Sequence, residues 1–164
     1  MQVYIFVLLF GAVLILQATV LDFISVFDIK PDLVMLLAIF SGFLLGKREG
    51  AFWGFAGGLI EDLFSGSYIG LNALSKMAAG YLAGVAGDRL YRENILVAAG
   101  VTFFSSVAGL LLNYLLLLHL GIGISPFYAL LRVIVPTALY TAALVLLLFG
   151  RVSRFVLIRS KDLL

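Results

Sequence analysis

The chain has no cysteine, one histidine, three prolines and little charge: only 12% of its 164 residues are Asp, Glu, Lys or Arg. Without cysteine there can be no disulfide and no thiolate-held metal. His119 has no second imidazole to share a zinc ion with. The formal net charge of +2 is too small to hold nucleic acid. Scarce charge also excludes a soluble domain. The hydrophobic share is 63% and the mean hydropathy is +1.18, whereas soluble domains average about 45–50% apolar and about 25% charged residues. Nucleophile-elbow, phosphate-cradling and zinc motifs are absent, and Ser75 beside Lys76 forms no recognisable Ser–Lys protease motif. The expectation is a membrane protein that is no enzyme and carries no cofactor or metal.

What is present is a succession of apolar runs. Six candidate spans lie at about 3–21, 31–46, 50–64, 68–87, 95–120 and 127–149. The predicted fold is therefore all-α, a polytopic domain over 1–150 with six transmembrane helices, followed by a basic tail over 151–164 suited to the membrane surface. The first run lacks a basic start and exceeds a signal core of about 7–15 residues, so it reads as an uncleaved span. Orientation follows from the cations. Lys47, Arg48, Arg89, Arg92, Arg151, Arg154, Arg159 and Lys161 flank one side, and only Lys30 flanks the other. The positive-inside rule then places both termini in the cytoplasm.

Spans 2 and 3 are short, since sixteen residues rise about 24 Å against about 30 Å of hydrocarbon. Their glycines suggest how this is tolerated. Gly42, Gly46, Gly50, Gly54 and Gly58 recur every fourth residue, and Gly80 and Gly84 repeat the interval in span 4. Small residues at that spacing let backbones approach where lipid supplies no hydrophobic drive. The ladder is read as packing among spans 2, 3 and 4, with an oligomer interface as the alternative.

Polar side chains inside the spans are few and cluster in the outer half: Gln17 near the end of span 1, Glu61 and Asp62 closing span 3, Asn72 and Lys76 in span 4, Asn113 in span 5 with His119 at its end, and Arg132 in span 6. Ionisable groups at that depth are costly and seldom incidental. One reading is an internal network in which Asp62 and Glu61 pair with Lys76 and Arg132 while the asparagines bond helix to helix. A vestibule open to the outside is a second. Snorkelling of Lys76 and Arg132 towards headgroups is a third.

Several segments together resemble the bacterial rod shape-determining family MreD: Leu16-Gln17-Ala18-Thr19, Lys30-Pro31-Asp32-Leu33-Val34, Gly50-Ala51-Phe52-Trp53-Gly54-Phe55, Gly58-Leu59-Ile60-Glu61-Asp62-Leu63, Gly66, Gly70 with Leu71, and Tyr81-Leu82-Ala83-Gly84. The likeness is specific over about 16–87, and Asp62 is the acid it leads one to expect, Glu61 being an addition. The resemblance implies a non-enzymatic scaffold of the cell-elongation machinery. Its partners would be an MreC-like single-span protein, peptidoglycan synthases of the RodA and penicillin-binding type and, indirectly, MreB filaments. It also implies a six-helix fold similar to substrate-binding subunits of energy-coupling factor transporters. An importer subunit of that kind is the rival reading. Against it, Ala12 and Ala18 of span 1 stand six apart and do not form the small-residue pattern those subunits use to dock their coupling partner.

Overall fold

The structure, a computed structural model, describes residues 2–19, 29–66 and 68–161. Asp22 and Asp28 of the first loop lie outside them, as do the side chains of Arg154, Arg159 and Lys161 in the tail. Among the described residues there are six long helices and no strand: α1 (Gln2–Thr19), α2 (Leu33–Leu45), α3 (Lys47–Ser65), α4 (Leu71–Gly87), α5 (Ile95–His119) and α6 (Val135–Lys161). The sixth is entered through a short turn of helix, Pro126–Tyr128, and a π-helical segment, Ala129–Ile134. It runs unbroken past residue 150, so no bend marks the start of the tail.

The core is built around α2. All eleven residues from Val34 to Leu44 are buried, which identifies a helix apolar on every side and enclosed on every side. It touches each of the other five helices. Met35, Ile39 and Phe43 pack with Ala79 and Ala83 of α4, Ala98 and Val101 of α5, and Val145 and Phe149 of α6. With thirteen residues, α2 is about 20 Å long, well short of a bilayer core. Ile95–His119 and Pro126–Arg151 are each long and apolar enough to cross one.

Only Gly46 separates α2 from α3, with φ 134°, a conformation that a β-carbon disfavours. The charged Lys47-Arg48-Glu49 stretch, expected as a turn, instead forms the first turn of α3. Gly46 is therefore a chain reversal and leaves the packing ladder. The other ladder glycines sit where backbones cross. A β-carbon on Gly42 or Gly50 would strike the Gly80 carbonyl, one on Gly80 the Gly50 carbonyl, and one on Gly84 the backbone of Lys47. Gly54 lies against the Lys76 carbonyl and Gly58 against that of Asn72. Gly57, Gly87 and Gly109 make similar approaches, to Phe10 and Val34, to the Phe43 carbonyl, and to the Ser75 carbonyl respectively. The α3–α4 pair is accordingly the most extensive helix contact in the molecule, and α1 is among the least engaged.

The π-helical segment has a cause in the sequence. Pro136 has no N–H to give the carbonyl four residues back, and its ring crowds that carbonyl, which belongs to Arg132. The chain relieves the clash by widening one turn, so that the Val135 N–H bonds to the Leu130 carbonyl.

Candidate functional site: a buried charge cluster at paired helix N-termini

Helices α2 and α4 both follow loops on the side that holds Asp32 and Asp62, and each begins with unpaired backbone N–H groups that need acceptors. Asp32 caps α2, its Oδ1 accepting from the Met35 N–H at 2.8 Å. Asp62 does the same for α4 from the end of the neighbouring helix. Its Oδ2 accepts from the Gly70 N–H at 2.9 Å and the Ala73 N–H at 3.1 Å. Its Oδ1 accepts from the Asn72 N–H at 3.2 Å and the Asn72 Nδ2 at 2.9 Å. Asp62 is fully buried, and among the described residues its carboxylate has four donors and no cation. Backbone N–H donors and a helix N-terminus stabilise a carboxylate much as a cation would.

The cation in the cluster is Lys76, itself 1% exposed. Its ammonium binds Asp32 Oδ2 at 2.9 Å and also Glu61 Oε2. Glu61 accepts on its other oxygen from Gln17 Nε2 at 2.7 Å, and the Gln17 Oε1 accepts from the Val34 N–H at 3.1 Å. One ammonium thus joins α2, α3 and α4, and one amide ties α1 to them. Thr141 of α6 reaches the same place, its Oγ1 accepting from the Asp32 N–H at 3.3 Å. Asn113 of α5 donates weakly to Asn72 Oδ1 and Ser75 Oγ, each at 3.5 Å. All six helices contribute a side chain.

At the opposite ends of α2 and α4 the polarity is reversed. Arg92 donates from Nη1 to the Leu44 carbonyl and from Nε to the Gly87 carbonyl, both at 2.9 Å, and pairs with Asp88 at 3.1 Å. Acids at the N-termini and a guanidinium at the C-termini complement both helix dipoles.

Several sequence expectations need revising. Asp62 does not pair with Lys76 or Arg132, because the N-terminus of α4 already occupies both of its oxygens. Arg132 is outside the cluster altogether, exposed on the π-helical segment. Glu61, an apparent addition to the family pattern, is a direct partner of Lys76. Two residues missing from the expected cluster are Thr141 and Asp32, the latter although Pro31-Asp32 before an apolar run is an N-cap signal. Helix α4 starts at Leu71 rather than about 68. Lys76 is therefore five residues, or about 7.5 Å, from its start. His119 is exposed at the end of α5.

The family model for the rod shape-determining protein MreD matches residues 1–158, nearly the whole chain. The chain belongs to the MreD family. It is a membrane protein with a part in determining rod shape, as that family is. No curated protein and no solved structure matches it, so the likeness to transporter subunits receives no support from a known structure.

Proposed function

We propose that this MreD-family chain is a non-enzymatic scaffold that holds an MreC-like single-span protein beside peptidoglycan synthases of the RodA and penicillin-binding type, and so helps couple MreB filaments to wall synthesis. The observation that carries the reading is the saturation of the buried charges by the fold's own groups. Both oxygens of Asp32, Glu61 and Asp62 have internal partners, and Lys76 is shared between two of them. Such a cluster braces helices and leaves little capacity for a ligand, which weighs against the importer reading. The outward surface is apolar helix, including Phe52, Phe64, Phe104, Leu115 and Leu147, the kind of face that meets lipid or partner spans.

Purification of the tagged chain from membranes that also contain an MreC-like protein and a RodA-type synthase tests this. The proposal expects those two to be retained. Retention of an ATPase-containing coupling module in their place would overturn it.

The proposed orientation puts both termini and the turn at 88–94 in the cytoplasm. Single cysteines at Ser65 and Glu93, both exposed positions, should react with an impermeant thiol reagent from outside and from inside respectively. Labelling in the reverse sense contradicts that orientation.

A further inference from the structure

Arg132 is the cation that the buried cluster does not use. It is exposed on the π-helical segment, and its guanidinium makes no hydrogen bond or ion pair with any described residue. Its surroundings are apolar and also exposed: Leu130, Leu131 and Val133 beside it, Phe127 and Tyr128 one turn towards Pro126. A guanidinium cannot be deprotonated in a protein. On a lipid-facing helix it must therefore find an anion or remain solvated by drawn-in water.

We propose that Arg132 binds the phosphate of a phospholipid headgroup in the leaflet nearest Pro126, making this end of α6 a lipid-phosphate site. Three observations point the same way. Arg132 is six residues from Pro126, about 9 Å along the helix axis, a depth that a long side chain can largely recover. Side chains on a helix tilt back towards its N-terminus, which here is the direction of the headgroups. Phe127 and Tyr128 mark the interfacial level, where aromatic rings collect at the edge of a bilayer. A carboxylate on a partner span is the competing occupant. The short reach to the headgroups favours phosphate, and that reach is the same whichever way the chain is inserted.

The test is heteronuclear dipolar recoupling between arginine guanidinium carbons and lipid phosphorus. Protein labelled at arginine Cζ would be reconstituted alone in phosphatidylcholine–phosphatidylglycerol vesicles. The spectrum of wild type minus that of Arg132→Gln isolates the signal of interest, and exposure makes the variant tolerable to the fold. The proposal expects that signal to lose intensity rapidly through contact with phosphorus. Arg132→Lys, labelled at its ammonium, should retain the contact, while buried Lys76 shows none. A signal that does not dephase in lipid alone overturns the proposal. So does one that changes only when an acidic partner span is added, which would assign the occupant to the partner's carboxylate.

Discussion

Replacing Lys76 by methionine is expected to destabilise the domain by about 3–5 kcal/mol, the range for removing one partner of a buried ion pair. The side chain is 1% exposed and its ammonium contacts two carboxylates, so its loss leaves Asp32 and Glu61 facing one another uncompensated. Adding Glu61→Gln should recover a substantial part of the loss. The amide removes one of the two negative charges and can still bond to Gln17. Thermal unfolding of the purified wild type, the two single variants and the double variant gives the coupling energy. The same cycle with Asp62 in place of Glu61 should give a much smaller coupling, because Asp62 takes its four hydrogen bonds from Gly70, Asn72 and Ala73 and none from Lys76.

Alanine at Gly54 or Gly58 should have the second large effect, with a sign opposite to helix propensity. In an exposed helix interior, Gly→Ala stabilises by about 0.8–1 kcal/mol. At these two sites the new β-carbon meets backbone of α4, at Lys76 and Met77 for Gly54 and at Asn72 and Ala73 for Gly58. Backbone cannot rotate away as a side chain can, so α3 and α4 must separate. Overpacking of this kind costs about 1–3 kcal/mol, and separation would also draw Glu61 and Asp62 away from the residues they bind. Gly100 has open space beside it and supplies the control. Gly100→Ala should leave the unfolding temperature level or raise it, whereas both α3 variants lower it. Equal behaviour at all three sites would mean that the ladder does not mark a close crossing.

The two effects belong to one arrangement, since the glycines that meet α4 are a turn or two from the acids that bind it. Much of this was legible in the sequence. The every-fourth-residue glycines marked the close crossings, apart from Gly46, whose place in a chain reversal shows in its backbone angle and not in its spacing. Apolar runs located the helices, and the rarity of charge made Glu61, Asp62 and Lys76 conspicuous. Pairing was legible only in part: Glu61 with Lys76 was among the expected pairs, and the partners of Asp62 and Arg132 were not. Counting two acids against two bases suggested a closed set, but a helix N-terminus also acts as a counter-charge, and that satisfied Asp62 and released Arg132. Asp32 was overlooked because a carboxylate after proline at the edge of a loop resembles solvated surface. Only the approach of α3 and α4 to the start of α2 brings it to Lys76. Pro136 did announce the irregular turn at Arg132, through a missing N–H that a hydropathy reading does not register.

The central claim is that the buried acids and base serve the architecture of the domain. The most direct measurement is made on Asp62→Ala, following folded yield, assembly with an MreC-like partner and rod shape in cells depleted of the native protein. Removing Asp62 leaves buried N–H groups at the start of α4 without acceptors, which costs about 1–3 kcal/mol for each group left unsatisfied. The account predicts that stability, assembly and shape fall together, and that all three recover in part when second-site changes restabilise the fold. A variant that folds and assembles at wild-type levels while the cells lose their rod shape would contradict it, because the carboxylate would then be acting on something other than its own helix.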